Sequence, residues 1–386
     1  MTQIRMDQSQ TAQPWVIILS SFMIISLGAC HAYGSGVLYT ALLERYHEPV
    51  TKTTWLGSMS FAVFALAAPL GSVVINIYTC RLCVLIGGVT TLVGYGTSFF
   101  VNKMDYLFVT LSLTTGIGQS LCYTGGLIIL GYYFEENPSL ATGIVVTGAG
   151  VGMLAMPPFT QFLINTYSLQ GAFLILGVTG FQTCVFGSLL RPHPLERKRK
   201  IRVEHNKISQ NFFRRFNFSN DCLQHIDIFT NVQFLSFLAC CLTWCAGVGI
   251  ALLYLPAYYV SRGSTDIEAS FLVTFVGIGS IISRILVGLF VNDETVNARM
   301  VFFALLGLAG TSTCFLTLYT GTYAGKVASS LVLGLYTGGE YSIFSAVLLE
   351  MMGLERLASS VGASLLVCGI GYLVGPPMAG KMRDMG

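Results

Sequence analysis

Charge is scarce in this chain. Only 10% of its 386 residues are Asp, Glu, Lys or Arg, against about 25% in ordinary soluble domains. Hydrophobic residues make up 53% of the chain, and the mean hydropathy is +0.69. Because so few charges cannot cover the surface of a water-soluble protein of this length, the composition excludes a soluble globular protein. It predicts a protein whose main solvent is the lipid bilayer.

Motifs of nucleotide and metal chemistry are also missing. The chain has no Walker loop, no H-E-x-x-H and no Cys-His array. The stretch "GAGVG" at 148–152 resembles part of a dinucleotide loop, but it lies inside an apolar run that no strand precedes. We therefore predict that the protein is not an enzyme and uses neither a cofactor nor a metal.

Regular cysteine spacing is absent as well. The eleven cysteines are scattered along the chain without the spacing of a disulfide framework, which predicts free thiols that fill space as small apolar side chains. Cys80 and Cys83 form an isolated C-x-x-C. A metal or redox role is one interpretation of this pair, but the lack of a second ligand pair favours packing.

Long apolar runs dominate the sequence instead. Each run is long enough to cross a hydrocarbon core of about 30 Å as a helix, and a helix satisfies its own backbone hydrogen bonds in lipid. The eleven predicted spans are 15–39, 55–78, 84–101, 106–131, 140–164, 172–190, 232–259, 269–291, 300–319, 327–349 and 358–379.

A basic polar segment separates the sixth and seventh spans. By the positive-inside rule this segment is cytoplasmic, and the six preceding spans then place the N-terminus on the same side. Contact with anionic lipid or nucleic acid is the alternative, but a solvated linker is the simpler interpretation beside two spans, so we predict no nucleic-acid partner. The segment holds nine of the twenty-one Lys and Arg residues: Arg191, Arg197, Lys198, Arg199, Lys200, Arg202, Lys207, Arg214 and Arg215.

An internal repeat relates the two halves of the chain. "GVGMLAMPPF" from residue 150 returns as "GIGYLVGPPM" from residue 369, at an offset of 219 residues. We interpret the fifth and eleventh spans as equivalent members of two parallel repeats, in which prolines open each helix where it lines a cavity. The offset pairs Gly143 with Gly362, Gly150 with Gly369, Gly152 with Gly371, Pro157 with Pro376 and Pro158 with Pro377.

The repeat predicts an all-α membrane protein with the major facilitator fold of two six-helix repeats. The partner of the sixth span would end near residue 409, beyond Gly386, so we expect eleven spans and no twelfth. The expected domains are a cytoplasmic tail (1–14), an N-terminal six-helix bundle (15–190), the basic linker (191–229) and a five-span C-terminal bundle (230–386).

The fifth span resembles a signature of the monocarboxylate transporters. In "YYFEENPSLATGIVVTGAGVG", the residues Tyr133, Phe134, Ala141, Gly143 and Gly148 match that signature. The resemblance continues through "TWLGSM", "MPPFTQFLINTYSLQGAFLILG", "SRILVGL" and "GLERLASSVGASLLVCGIGYLVGPPMAG", and covers nearly the whole chain. It implies a carrier of small organic anions in the plasma membrane, with a single-span ancillary glycoprotein as a partner.

Several positions depart from the family pattern. Proton-linked members place a lysine where this chain has Ser35, and an aspartate where it has Ser280, four residues before the arginine that is retained as Arg284. These departures put proton coupling in doubt rather than anion recognition. The basic cluster of the fifth-span signature is replaced by Glu136, Asn137 and Pro138, and the lead into the first span reads Ala12, Gln13, Pro14 and Trp15.

Arg284 is the leading candidate for substrate binding. It lies deep in the eighth predicted span, where a charge costs at least about 2.5–3.5 kcal/mol and normally faces a polar cavity or a partner. Its planar fork of donors suits a carboxylate. A structural arginine paired inside the protein is the alternative interpretation.

The other candidates are Glu340, His31 and three tyrosines. Glu340 lies in the tenth span and is interpreted either as a counter-ion that replaces the missing aspartate or as a proton-carrying carboxylate. His31 in the first span is either a titratable group or a hydrogen-bonded packing residue. The aromatic residues that we expect in the cavity lining are Tyr33, Tyr123 and Tyr336.

These observations favour a secondary transporter that moves a small monocarboxylate by alternating access. Two alternatives remain: a proton-independent facilitator of a larger or zwitterionic acid, and a non-transporting truncated product. Uptake with and without a pH gradient separates the first two, and absence of saturable uptake supports the third.

Overall fold

A computed structural model describes residues 14–134, 138–191, 231–291 and 296–385. The predicted cytoplasmic tail and basic linker fall almost entirely outside these ranges, as do Glu136 and Asn137 of the fifth-span signature.

The described chain is helical throughout its length. The N-terminal half contains α1 (Pro14–Tyr33), α2 (Ser35–Tyr46), α3 (Val50–Leu66), α4 (Ala68–Ile77), α5 (Cys80–Phe99), α6 (Met104–Leu107), a π-helical segment (Phe108–Thr114), α7 (Thr115–Tyr133) and α8 (Pro138–Leu189). The C-terminal half contains α9 (Val232–Ser261), α10 (Asp266–Val291), α11 (Ala298–Cys314), α12 (Leu316–Tyr319) and α13 (Tyr323–Met385).

Polar side chains cap the helices α5, α9 and α11. The Thr79 hydroxyl accepts a hydrogen bond from the Leu82 amide at the start of α5. Asn231 and Asn297 cap α9 and α11 in the same way, each accepting from a backbone amide of the first turn. These bonds satisfy amides that the helix cannot pair internally.

The predicted major facilitator architecture is supported, but the predicted count of eleven spans is not confirmed. By length and composition, eight helical segments among the described residues can cross a membrane, with α11 as a shorter apolar helix. The difference of three arises because α8 contains both the fifth and sixth predicted spans, α13 contains both the tenth and eleventh, and the ninth falls in the shorter α11.

Neither long helix can be one straight span. The 52 residues of α8 would extend about 78 Å and the 63 residues of α13 about 95 Å, well beyond a hydrocarbon core of about 30 Å. In α8 the interruption is Ser168, which has φ 63° and ψ 171°. It lies between the fifth and sixth predicted spans, so the chain turns there at a single non-helical residue.

The prediction that the double prolines open their helices is wrong. Pro157 and Pro158 lie inside α8, and Pro376 and Pro377 lie inside α13. The backbone of α8 is non-helical only at Ser168. Three of the four rings are buried and the fourth is half-buried, so neighbouring helices shield the backbone groups that each proline leaves unpaired.

The internal repeat has a structural counterpart in contacts between the halves. A Cβ atom added at Gly150 would lie 2.6 Å from Cγ1 of Ile281, and one added at Gly369 would lie 3.0 Å from Cδ2 of Leu66. The two repeat-related glycines therefore each face the opposite half. A core cluster around Phe237, which is fully buried, also includes Phe61 and Met153 from the N-terminal half.

Glycines bring α10 and α13 into close contact within the C-terminal half. A Cβ atom added at Gly279 would lie 2.3 Å from the Leu331 carbonyl oxygen, and one added at Gly334 would lie 2.1 Å from the Val276 carbonyl oxygen. Small residues at such positions let helices in membranes gain van der Waals contact. This contact holds α10 in place, and α10 positions Arg284.

We expect Gly279→Ala to lower the melting temperature of the detergent-solubilised protein, because overpacking costs about 1–3 kcal/mol. The matched control is Gly288→Ala in the same helix, where an added Cβ atom meets nothing within 4 Å. Thermostability measured by size-exclusion chromatography of the heated protein checks this. Equal melting temperatures for the two variants would show that the α10–α13 contact accommodates an added methyl group without loss of stability.

Candidate functional site

Arg284 lies at the interface between the two halves. Its side chain is 5% exposed. Nε donates a hydrogen bond to the Ser280 hydroxyl at 3.1 Å, one turn earlier in α10, and Nη1 donates to the Val146 carbonyl of α8 at 2.9 Å. The arginine therefore joins the C-terminal half to the backbone of the N-terminal half.

The acceptors that hold Arg284 are neutral. Among the described residues, no carboxylate lies within 4.0 Å of its guanidinium, and the ion pairs present join Lys52 to Glu48 and Asp105, and Arg299 to Glu350. A buried charge without an opposite charge is costly. An anion that entered this site would supply the missing charge.

Tyr341 covers one face of the guanidinium. The Arg284 Cζ atom lies 5.1 Å from the centroid of the Tyr341 ring, which is a cation–π contact. The Tyr341 hydroxyl is hydrogen bonded to that of Tyr372 at 2.7 Å, and the Tyr372 ring stacks on Phe61 of the N-terminal half at 5.4 Å. A line of aromatic contacts thus runs from the arginine across the interface.

Tyr33 and Tyr123 approach this region from the N-terminal half. Tyr123 lies within electrostatic reach of both Arg284 and Tyr33, and its ring meets Phe64 edge to face at 5.4 Å. Tyr33 contacts core clusters of both halves. The structure therefore brings these two predicted residues and Ser280 towards Arg284.

Glu340 does not contact Arg284 in the described structure. Its side chain is 0% exposed, and neither carboxylate oxygen has a hydrogen-bond partner within 3.5 Å among the described residues. The counter-ion contact that the sequence suggested is therefore not formed. A carboxyl group buried without a cation is favoured in its neutral form.

His31 and Ser35 lie in a separate cavity within the N-terminal half. His31 is 3% exposed, neither ring nitrogen has a hydrogen-bond partner, and its ring contacts Tyr95 at 5.0 Å. The cavity has a volume of about 30 Å³, which is enough for one or two water molecules. Its polar lining consists of His31, Ser35, Tyr39, Thr53, Ser60, Tyr95, Thr115 and Gln119.

The remaining predicted residues lie away from these two sites. Tyr336 is half-buried in α13, and no described contact joins it to Arg284. Tyr133 donates its hydroxyl hydrogen to the Arg191 carbonyl at 2.9 Å, and Phe134 contacts the adjoining apolar core. Of the signature glycines, Gly148 approaches the Phe22 carbonyl, whereas Gly143 has open space beside it.

Sequence reasoning missed Tyr341, Tyr372 and the Val146 carbonyl. Tyr341 directly follows Glu340 in an apolar span, a signal that could have placed it beside a buried polar group. Tyr372 lies between the glycine and proline pairs of the repeat, and the comparison of the repeats did not single it out. A backbone carbonyl leaves no trace in a sequence, because every residue has one.

Neither potential metal ligands nor the C-x-x-C pair adds to the site around Arg284 among the described residues. Among the described residues, no group of three or more His, Cys, Asp or Glu side chains could hold a metal ion. Cys80 and Cys83 are both buried, and the Cys83 thiol points to the carbonyls of Gly71 and Leu121. The guanidinium of Arg284 provides the fixed positive charge of the interface.

Comparisons with known proteins agree with this architecture. The family model described as Major Facilitator Superfamily matches residues 16–376. Monocarboxylate transporter 2 of Meriones unguiculatus is 30% identical over 383 residues, covering 96% of this chain and 78% of that protein. Monocarboxylate transporter 12 of Xenopus laevis is 28% identical over 391 residues, covering 96% of this chain and 82% of that protein.

A solved structure shows the same fold. The partially occluded inward-open xylose transporter XylE from E. coli superposes with a TM-score of 0.71 at 16% identity, covering 95% of this chain and 93% of that chain. These relatives are transporters, which confirms the prediction that the protein is not an enzyme. The chain belongs to the monocarboxylate transporter family of the major facilitator superfamily.

Proposed function

We propose that this transporter moves a small monocarboxylate or a related organic acid by alternating access between its two halves. The observation that supports the proposal is Arg284, a buried cation at the interface whose described polar partners, Ser280 and the Val146 carbonyl, are both neutral. A carboxylate bound to the guanidinium would balance this charge.

The position of Arg284 links binding to movement of the halves. Its hydrogen bond to Val146 joins α10 to α8, so a substrate that competes for the guanidinium changes a contact between the halves. Binding energy released at the arginine can therefore favour one arrangement of the halves over another. Secondary transporters rock one repeat against the other around a central site in this way.

The proposal includes the placement of the chain. We propose the plasma membrane as its location, with the N-terminus in the cytoplasm, because the positive-inside rule places the basic segment 191–229 on that side. The single-span glycoprotein partner that the family resemblance implies is also part of the proposal.

A proton-independent facilitator of a larger or zwitterionic acid is the second candidate. Ser280 favours it, since the residue one turn from Arg284 is a hydroxyl that carries no proton to exchange in the physiological range. The same contact in a proton-linked relative would involve a carboxylate. A non-transporting product is the third candidate, and it predicts no saturable uptake at verified surface expression.

Replacing Arg284 with lysine tests the carboxylate site. Arg284→Lys keeps the charge but removes the planar fork, so we expect uptake of a radiolabelled monocarboxylate to fall at least about tenfold, the loss expected when a charged hydrogen-bond partner is removed. Surface abundance, measured by biotinylation, should not change. Arg299→Lys at the exposed ion pair with Glu350 is the matched control. Undiminished uptake by Arg284→Lys would remove this residue from the binding site.

The pH dependence of uptake tests proton coupling. Because no carboxylate lies within ion-pair distance of Arg284 among the described residues, we expect an inward proton gradient to accelerate uptake weakly or not at all. Uptake is measured with the inside at pH 7.5 and the outside at either pH 6.0 or pH 7.5, and the two rates are compared. Strong acid stimulation that disappears in Glu340→Gln would contradict this expectation and make Glu340 the proton carrier.

A further inference from the structure

The two halves also meet at a second contact, between α3 and α9, that does not involve Arg284. Here the Thr54 hydroxyl of α3 and the Tyr254 hydroxyl of α9 are 2.6 Å apart. Thr54 is 0% exposed and donates its own hydrogen to the Val50 carbonyl at 2.6 Å. Either hydroxyl can donate in the bond between the halves, and the Tyr254 hydroxyl is also a donor to the Pro376 carbonyl at 3.4 Å.

Small residues surround this hydrogen bond. A Cβ atom added at Gly36 would lie 2.5 Å from the Leu252 carbonyl oxygen, and one added at Gly380 would lie 2.8 Å from the Tyr254 hydroxyl oxygen. The Tyr39 ring meets the Tyr254 ring edge to face at 5.3 Å. Main chains of the two halves thus approach as closely as glycine allows, with one hydroxyl pair between them.

This contact closes over the polar cavity that contains His31. Tyr39 lines the cavity and also touches Tyr254, and Thr53 and Gly57 of the cavity wall lie on α3 within one turn of Thr54. Opening the Thr54–Tyr254 contact would therefore expose the cavity wall at this end of the bundle. Ser35, which is 9% exposed on the same wall, would become accessible.

The strength of the contact suits a part that opens in every cycle. A neutral hydrogen bond contributes about 0.5–1.5 kcal/mol, and bonds between membrane helices average about 0.6 kcal/mol. The hydroxyl pair is therefore strong enough to change the populations of two states and weak enough to break thermally. An ion pair buried at the same place would be harder to open, because each separated charge would be left without a partner.

We propose that Thr54 and Tyr254 form a gate that holds this end of the transporter closed in the state described. The proposal rests on alternating access, the proposed function, but it concerns residues outside the Arg284 site. The hydrogen bond between the two hydroxyls keeps the gate shut, and the glycines let the halves come close enough to form it.

Thiol labelling tests the gate without requiring a substrate. The reporter Ser35→Cys is introduced into the full chain in sealed vesicles of both orientations, and its reaction with a membrane-impermeant maleimide is timed. The chain without the reporter gives the background from its native thiols. Using both orientations makes the result independent of which end faces the cytoplasm.

Tyr254→Phe removes the hydroxyl and keeps the ring. We expect it to raise the labelling rate from the gate end about threefold to tenfold, and to lower the rate from the opposite end. Tyr258→Phe is the matched control, since it lies one turn later on α9 and removes a hydroxyl bonded to Thr320 within the same half at 2.7 Å. Thr54→Val should match Tyr254→Phe, and the double variant should add nothing further.

Each outcome has a definite meaning. Equal labelling of Tyr254→Phe and Tyr258→Phe, with native melting temperatures for both, would overturn the gate. Increased labelling at both ends would also overturn it, since that result indicates loosening rather than a shift between two states. A labelling shift in a chain that shows no saturable uptake would support the gate while rejecting the carrier function, so the two failures are distinguishable.

Discussion

The uncompensated charge of Arg284 is the constraint on which the central part of this molecule depends. A guanidinium at this depth is tolerated only where polar groups and aromatic faces replace its hydration. Ser280, the Val146 carbonyl and the Tyr341 ring provide these contacts from three helices. Removing any one of them would leave the charge less well solvated, so the helices around it are held in a common arrangement.

That arrangement depends in turn on close helix contact. Arg284 reaches across to α8 only because α10 and α8 touch, at Gly277 beside the main chain of Leu154 and at Gly150 beside Ile281. Main-chain approach of this kind orders the interface without strong polar bonds. Contacts of the same kind pack α10 against α13 within the C-terminal half, as at Gly279 against Leu331.

Much of the fold could be predicted from the sequence. The low charge, the apolar runs and the repeat of Gly150 at Gly369 led to a helical membrane protein of two related halves. The breaks between spans could not be predicted so well, because a single non-helical residue such as Ser168 turns the chain between two spans. The double prolines were misjudged because the shielding of the backbone groups that a proline leaves unpaired depends on neighbouring helices, which composition does not reveal.

The candidate site was predicted in part, for a related reason. Arg284 was identifiable because a charge inside an apolar run is rare, and Ser280 followed from its spacing. The other candidates point in different directions from their helices. His31 and Tyr33 are two residues apart and therefore lie on different sides of α1, so that His31 faces the inner cavity and Tyr33 faces the interface. Glu340 and Tyr341 are adjacent, and only the second touches the arginine.

The π-helical segment 108–114 has a consequence for the register of the helix that follows it. A wider turn holds one extra residue, so the side chains before it are rotated by about 100° relative to a continuous α-helix. Ser112 within the segment donates to the Leu56 carbonyl at 2.6 Å, while Thr115 and Gln119 beyond it line the cavity. Loss of one residue here would convert the wider turn to an α-helical turn. Ser112 could then no longer face α3 while Thr115 and Gln119 face the cavity. The length of the segment 108–114 therefore determines whether the cavity keeps its polar wall.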